Sequence, residues 1–244
     1  MNLAIDIGNT VSKLAIFKGK ELFSKMVVEG KPNEALYAEL KNDNPGLHHV
    51  ILSSVKNTDQ QTIVFLKKSF HLLELSAQTL LPINNLYTAP ETLGNDRIAG
   101  VVGATKYFPN NNILVIDAGT CITYDFINSD NEYLGGSISP GLEMRFQALH
   151  TFTARLPLIK PDENVDEVIG NSTEKSIVSG VQIGMVAEIE GIIKKYESHY
   201  RNLKILLTGG NSNFFVKKLK NPIFAAPDLV LEGLNEILDY NVQK

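Results

Sequence analysis

The sequence predicts an α/β protein built from two similar halves, each with a mixed β-sheet flanked by helices. Two observations lead to this prediction. In the first half the apolar patterns follow the order β-β-β-α-β-α-β, which is typical of a mixed sheet with helices on its faces. In addition, the motif Asp-x-Gly occurs twice, at Asp6 and at Asp117. Each copy comes directly after a buried-type strand and has a Thr shortly after the Gly. The same motif at the start of each half indicates a duplication.

The first half is predicted to end at Pro109 and the three asparagines that follow it, so that the halves comprise residues 1–110 and 111–244. Gly8 marks the turn between the first two strands, and Pro32 marks the start of the first helix. Residues 84–95 are predicted to form a loop. We predict strands over 3–6, 11–17, 21–28, 49–53 and 71–75, and helices over 32–40, 59–69 and 97–108.

The second half repeats this plan. Its longest irregular stretch is predicted over 152–166, which contains two prolines. Its longest helix is predicted over 173–196, where apolar residues recur at helical spacing. We predict strands over 113–117, 121–127, 133–138, 203–207 and 223–225, and helices over 142–149, 173–196, 213–219 and 229–238.

The composition bounds the class of protein. The chain has 244 residues, 43% of them hydrophobic, and a net charge of −4, without the basic surface expected of a nucleic-acid-binding protein. It has no apolar run of membrane-spanning length and no signal segment. Its single cysteine, Cys121, cannot form an internal disulfide, which fits a reducing compartment. We therefore expect a cytoplasmic protein that binds neither a membrane nor nucleic acid.

The turn after the first strand has two interpretations. In the first, Gly8, Asn9 and Thr10 present donors to an anion, and Asp6 holds a metal ion through water. In the second, the turn is an ordinary hairpin whose polar side chains satisfy their own backbone. The second copy at Asp117 favours the first interpretation, because two such turns facing each other across a cleft would grip a nucleotide from both sides.

The loop Gly94-Asn95-Asp96-Arg97 also leaves two interpretations open. Asp96 suits the N-cap of the following helix, and it equally suits a general base beside an Arg that clamps a carboxylate. The glycines of 135–141 and 208–211 suit either ligand approach or close packing. No P-loop and no dinucleotide-binding fingerprint is present in the sequence.

Four motifs in this order resemble type III pantothenate kinases over the whole chain. They are Asp6-Ile7-Gly8-Asn9-Thr10, Gly94-Asn95-Asp96-Arg97, Asp117-Ala118-Gly119-Thr120 and Gly170-Asn171-Ser172-Thr173. The resemblance implies the duplicated fold of the actin, sugar-kinase and heat-shock ATPase superfamily, with the active site in the cleft between the halves. It implies that ATP phosphorylates pantothenate to 4'-phosphopantothenate, the first step of coenzyme A biosynthesis.

The resemblance also implies roles for individual residues. Asp96 is the general base, Asp117 binds a monovalent cation (K⁺ or NH₄⁺), and Asp6 holds Mg²⁺ through water. ATP is expected to contact Asp6, Ile7, Gly8, Asn9, Thr10, Val11, Ser12, Lys13 and Thr120. Pantothenate is expected to contact Tyr87, Gly94, Asn95, Asp96, Arg97 and Thr173. The one local departure is Asn95, where many relatives have an apolar residue. The family is homodimeric, so a partner subunit is expected to complete the pantothenate pocket.

Two other functions share the expected fold. One is a kinase of the same superfamily that acts on a sugar or on acetate. The other is a nucleotide-driven module, either an actin-like or chaperone-like ATPase or an accessory regulator. The 94–97 loop and the short chain favour pantothenate over these alternatives.

Overall fold

A computed structural model describes residues 1–8, 11–54, 59–162 and 164–243. The chain forms two compact units. Unit 1 comprises Met1–Pro109, Asn131–Tyr133 and Asp228–Lys244, and unit 2 comprises Asn110–Asp130 and Leu134–Pro227.

Unit 1 contains the elements predicted for the first half, together with the last helix of the chain. Its strands are β1 (Asn2–Ile7), β2 (Val11–Lys18), β3 (Glu21–Glu29), β4 (His49–Ser54), β5 (His71–Glu74) and the short β6 (Asn84–Asn85). Its helices are α1 (Glu34–Asp43), α2 (Gln60–Ser69), α3 (Asn95–Tyr107) and α8 (Leu229–Val242), and Pro90–Thr92 forms a 3₁₀ turn.

The unit 1 sheet has the strand order β3-β2-β1-β4-β5. The first two pairings, β1 with β2 and β2 with β3, are antiparallel, whereas β1 with β4 and β4 with β5 are parallel. The strand β1 therefore lies at the centre, and its residues Leu3, Ile5 and Ile7 belong to the unit 1 core.

Unit 2 contains the remaining elements, and one strand is shared. The strands are β7 (Ile113–Ala118), β8 (Cys121–Ile127), β9 (Glu132–Pro140, whose first two residues group with unit 1), β10 (Lys204–Thr208) and β11 (Phe224–Ala225). The helices are α4 (Leu142–Thr151), α5 (Thr173–Val178), α6 (Gly184–His199) and α7 (Ser212–Val216).

The strand order of unit 2 repeats that of unit 1. Its sheet runs β11-β10-β7-β8-β9, and β6 pairs with the first residues of β9. The central β7 is antiparallel to β8 and parallel to β10, as β1 is to β2 and β4. The prediction of an α/β fold with mixed sheets flanked by helices is confirmed, and the matching order supports the duplication seen in the two Asp-x-Gly turns.

Three details differ from the expectations. The helix predicted from residue 97 begins at Asn95, because the Gly94 carbonyl already accepts from the Ile98 amide at 3.3 Å. The loop predicted over 84–95 contains β6. The long helix predicted over 173–196 is interrupted by a π-helical segment, Ser179–Ile183, between α5 and α6; such segments widen one helical turn by a residue.

The helix α8 packs in unit 1 although the predicted boundary places it with residues 111–244. Gly103 of α3 faces the carbonyl of Leu229, and Gly233 of α8 faces the carbonyl of Ala99; a Cβ at either glycine would overlap that oxygen. The two backbones can approach this closely only without side chains. At the buried end of β1, the Asn2 Nδ2 donates to Asn235 Oδ1 of α8 at 2.8 Å.

Within the described residues, one helical stretch, Thr173–His199, is long and apolar enough to cross a membrane on length and composition alone. Its most apolar window is 44% buried inside the protein. Ile177, Met185 and Ile189 from this stretch belong to the unit 2 core. The stretch therefore packs as the core helix of a globular unit does.

Replacing Gly233 with Ala tests the close packing of α3 and α8. We expect Gly233→Ala to lower the free energy of unfolding by about 1–3 kcal/mol, because the added methyl group forces the helices apart. The matched control is Gly191→Ala in the interior of α6, where a Cβ would meet nothing within 4 Å. That variant is expected to gain up to about 1 kcal/mol from helix propensity. Urea unfolding of both variants measures the difference, and equal stabilities would contradict the packing argument.

Candidate active site

The carboxylate of Asp6 lies where β1 ends. The sheet register places Asp6 opposite Lys13 of β2 and opposite Ser53 of β4. The Ser53 hydroxyl donates to Asp6 Oδ1 at 2.9 Å, and Ser53 is fully buried. The parallel pairing of β1 with β4 therefore supplies a fixed donor that holds this carboxylate.

The pKa of Asp6 is raised above its ordinary value. The largest cause is desolvation of the carboxyl by the surrounding protein, and the negative charge of Asp96 adds to it. The hydrogen bond from Ser53 and the charge of Lys13 act in the opposite direction. Asp96 and Lys13 are thus both within electrostatic range of Asp6 inside unit 1.

Asp96 lies in the first turn of α3, and its interpretation as the N-cap is wrong. The N-cap is Gly94, which offers no side-chain cap to the helix. The Asp96 carboxylate nevertheless accepts a hydrogen bond from the Arg97 amide at 2.9 Å. A Cβ at Gly94 would lie 2.5 Å from Asp96 Oδ1, so that the glycine leaves room for this carboxylate. Asp96 itself is partly exposed.

Three of the residues predicted to bind pantothenate lie around this turn. The Arg97 side chain is 8% exposed, and its guanidinium carbon lies 5.7 Å from the centre of the Tyr87 ring, a cation–π distance. The Tyr87 ring stacks in turn on Tyr133, with 6.1 Å between ring centres. Asn95 Nδ2 donates to the carbonyl of Leu75 at 3.1 Å, which fixes the start of α3 to the chain beyond β5.

The other residues expected to contact ATP in the first turn lie in different environments. Ile7 is in the core, and the buried Ser12 donates its hydroxyl to the Gly30 carbonyl at 2.5 Å. Val11 and Lys13 are partly exposed. The Gly8 amide donates to the Val11 carbonyl at 3.1 Å and closes the turn. Asn9 and Thr10, which are part of the same prediction, lie outside the described residues.

The second turn, in unit 2, is closed in a similar way but is one residue shorter. The Gly119 amide donates to the carbonyl of Cys121, two residues further on, at 2.9 Å, whereas the Gly8 amide donates to Val11, three residues further on. The register places Asp117 opposite the buried Thr208 of β10, as Asp6 is opposite Ser53. Each turn aspartate therefore has a hydroxyl residue across from it on the neighbouring parallel strand.

Two of the Gly-rich stretches pack against this second turn. Gly209, at φ +95°, leaves no space for a Cβ beside Asp117 and Ala118, and the Asn211 amide donates to the Ala118 carbonyl at 2.9 Å. The Gly141 amide donates to the Thr120 carbonyl at 3.1 Å. Close packing accounts for both glycines, and it brings the start of α4 and the end of β10 together at this turn.

Thr120 and Thr173 are both exposed. Thr173 is the first residue of α5, whose N-cap Ser172 accepts from the Lys175 amide at 3.2 Å. A capped helix start with an exposed hydroxyl is available to a polar ligand.

The sequence reasoning missed three residues that support the candidate site: Ser53, Thr208 and Tyr133. All three lie on strands. Strand register places Ser53 opposite Asp6 and Thr208 opposite Asp117, and Tyr133 stacks on Tyr87. Within the part of the chain that the structure describes, no three His, Cys, Asp or Glu side chains cluster as a metal site.

Comparison with known proteins identifies the family of this chain. Residues 2–195 match the family model for type III pantothenate kinase. The chain is 48% identical over 241 residues to the type III pantothenate kinase of Christiangramia forsetii, and the match covers 99% of each chain.

Two solved structures show the fold. One is a conserved Campylobacter jejuni protein assigned to the Baf family of transcriptional activators, with TM-score 0.63, 22% identity and coverage of 99% of this chain and 100% of that one. The other is the inorganic polyphosphate/ATP-glucomannokinase of Arthrobacter sp. strain KM, with TM-score 0.52, 16% identity and coverage of 99% and 98%. The sugar-kinase-like fold implied by the four motifs is therefore confirmed. With a family model that spans most of its length and a whole-length relative at this identity, the chain belongs to the type III pantothenate kinase family.

Proposed function

We propose that this protein transfers the γ-phosphoryl group of ATP to the primary hydroxyl of pantothenate, giving 4'-phosphopantothenate and ADP in the first step of coenzyme A biosynthesis. The observation that carries the proposal is that the negative charge of Asp96 acts on Asp6 and helps to raise its pKa. The charge of the expected base therefore reaches the carboxyl group of the expected phosphate turn. Family membership supplies the substrate.

Asp96 acts as the general base in this proposal. The pantothenate oxygen attacks the γ-phosphorus, the bond from that phosphorus to the bridging oxygen of ADP breaks, and the hydroxyl proton passes to the Asp96 carboxylate. Phosphoryl transfer depends mainly on alignment and on charge stabilisation. The Arg97 amide, which donates to Asp96, fixes the direction of the carboxylate.

The two turns hold ATP. In the first turn the residues are Asp6, Ile7, Gly8, Asn9, Thr10, Val11, Ser12 and Lys13, and in the second turn the residue is Thr120. Because Ile7 and the side chain of Ser12 are buried, they act through their backbone, whereas Lys13 adds positive charge. The exposed hydroxyl of Thr120 is accessible to a phosphate or a ribose.

A magnesium ion fits beside Asp6. Two carboxylates within electrostatic range, one of them with a raised pKa, form a site that a divalent cation stabilises. Asp6 would hold the ion through water, and the ion would neutralise charge on the phosphates.

A monovalent cation, K⁺ or NH₄⁺, fits beside Asp117. Asp117 Oδ1 and the Ala118 carbonyl oxygen both lie within 2.5 Å of the place that a Cβ on Gly209 would occupy, and oxygen ligands of this kind suit hard cations. We propose that the cation stabilises the second turn when ATP is bound.

Arg97, Tyr87, Gly94, Asn95 and Thr173 bind pantothenate together with Asp96. The guanidinium of Arg97 is held over Tyr87 and suits the carboxylate of pantothenate, which it can bind through two hydrogen bonds. We propose a cytoplasmic homodimer, in which the partner subunit completes the pantothenate pocket.

The support for the homodimer in this chain is a set of exposed apolar side chains in unit 2, Phe152, Val168 and Ile169. Light scattering measures the mass of the particle in solution and tests this proposal.

The replacement of Asp96 by Asn tests the base. Asn keeps an oxygen that can accept from the Arg97 amide, so we expect normal folding. We expect kcat to fall by about 10²–10⁴, because the variant has no carboxylate to take the proton. A coupled ADP assay with pantothenate measures kcat, and omission of pantothenate or its replacement by glucose or acetate is the control for other kinase activities. A near-wild-type kcat would refute the role of Asp96.

Exchanging the salt tests the cation at Asp117. We expect higher activity in K⁺ or NH₄⁺ than in Na⁺ at equal ionic strength, and we expect Asp117→Asn to abolish the difference. Equal rates of the wild-type enzyme in the three salts would remove the cation from the proposal.

Replacing Asp6 with Asn tests how far the ionised carboxylate at the end of β1 lowers the stability of the fold. Because the pKa of Asp6 is higher in the folded chain than in the unfolded one, the ionised side chain lowers stability, and this penalty disappears as the pH falls below the unfolded pKa. We expect Asp6→Asn to raise the unfolding midpoint at pH 7, to raise it less near pH 3, and to lose activity.

Ser53→Ala is the opposite control for that variant. It removes the donor that lowers the pKa of Asp6, so we expect a lower unfolding midpoint at pH 7 and a smaller difference in acid. Thermal unfolding at both pH values measures the two effects. A lower midpoint for Asp6→Asn at pH 7 would contradict the charge argument.

A further inference from the structure

An ion pair joins two helices of unit 2 near the second turn. Arg145 lies on α4 and Glu188 on α6, and Arg145 Nη2 lies 2.6 Å from Glu188 Oε2. Their side chains are 22% and 27% exposed, so that most of the pair is shielded from water. Charge-assisted hydrogen bonds of this length are among the stronger side-chain contacts in proteins.

Both partners of this pair have further hydrogen bonds. Arg145 Nη2 donates to Ser139 Oγ at 2.8 Å, and the Tyr124 hydroxyl donates to Glu188 Oε1 at 3.2 Å. Burial acts to raise the pKa of Glu188, but the hydrogen bonds and the charge of Arg145 outweigh it and hold the pKa below its ordinary value. Glu188 therefore stays ionised at neutral pH and keeps the guanidinium in place.

The guanidinium also binds the backbone that leads into α4. Arg145 Nε donates to the Pro140 carbonyl at 2.9 Å, and the Arg145 amide donates to the Gly141 carbonyl at 3.1 Å. One residue thus fixes Pro140 and Gly141 through its side chain and its backbone. Because Glu188 sets the position of the guanidinium, it also restricts the positions of Pro140 and Gly141.

The fixed segment touches the second turn. The Gly141 amide donates to the Thr120 carbonyl, and a Cβ at Gly141 would overlap the carbonyl oxygens of Thr120 and Gly119. The chain of contacts from Glu188 through Arg145 and Gly141 therefore ends on the backbone of Thr120. A shift of the guanidinium would therefore reach this turn through Pro140 and Gly141.

We propose that Arg145, held by Glu188, is a positioning residue for the nucleotide-binding turn of unit 2. It acts through Pro140 and Gly141 on Thr120, and the inference rests on the proposed contact of Thr120 with ATP. An ion pair that only joined two helices would affect stability alone. An ion pair that positions the turn also affects the affinity for the nucleotide.

Arg145→Met tests the inference, because Met keeps much of the apolar stem and removes the charge and the donors. We expect the Kd for Mg·ATP to rise roughly tenfold through misplacement of the turn. We expect Arg145→Lys, which retains the charge without the fork, and Glu188→Gln to lie between Arg145→Met and the wild type. The KM for pantothenate is expected to change less than the KM for ATP. Calorimetry with Mg·ATP and steady-state kinetics measure these values well below the unfolding temperature.

The matched control is Asp166→Asn. It breaks another ion pair of unit 2, in which Lys218 Nζ lies 3.0 Å from Asp166 Oδ1. Among the described residues, Lys218 Nζ donates to Val165 and Asp166, both outside the second turn. We expect this variant to bind Mg·ATP as the wild type does. Unchanged nucleotide affinity in Arg145→Met, or an equal loss in Asp166→Asn, would overturn the inference. A wild-type chain that binds Mg·ATP but leaves pantothenate unmodified would refute the proposed function. Because calorimetry needs no acceptor, the Mg·ATP affinities of the wild type and Arg145→Met would still test the role of Arg145.

Discussion

The carboxylate of Asp6 at the end of β1 is the constraint on which the candidate site in unit 1 depends. Protein packing withdraws this group from water, and the charge of Asp96 makes its ionisation still less favourable. The hydroxyl of Ser53 and the charge of Lys13 compensate in part. A carboxyl group whose pKa is raised by burial and by a neighbouring charge is typical of functional sites, and this supports the proposed magnesium position at Asp6.

The duplicated strand order explains why both units present a similar turn. In each unit a central strand ends in an aspartate, a hairpin returns antiparallel, and a parallel neighbour places a hydroxyl residue across from that aspartate. The surroundings of the two turns then differ. Asp6 shares its environment with the start of α3, whereas the turn after Asp117 is packed by Gly141 and Gly209. The same supersecondary unit therefore serves ATP binding in both proposed turns, with magnesium and the acceptor proposed in unit 1 and the monovalent cation in unit 2.

Much of the candidate site could be predicted because its residues are close in sequence. The turn at Asp6 and the loop at Gly94–Arg97 are short motifs, and their residue types predict anion binding and acid–base chemistry. The supporting residues could not be predicted in this way. Ser53 is an ordinary strand serine until the register of β1 with β4 is known, and Tyr133 matters because it stacks on Tyr87. Arg145 and Glu188 are 43 residues apart and read as surface charges on two helices.

By itself, the sequence determined the α/β class, the order of the elements, the two Asp-x-Gly turns and the family, because apolar periodicity and short motifs depend on neighbours along the chain. Only the tertiary structure decided that α8 packs in unit 1, that Gly94 rather than Asp96 caps α3, and that the charge of Asp96 acts on Asp6. Those outcomes depend on how closely distant backbones approach and on how far a carboxylate is removed from water. Neither quantity is a property of a local stretch of residues.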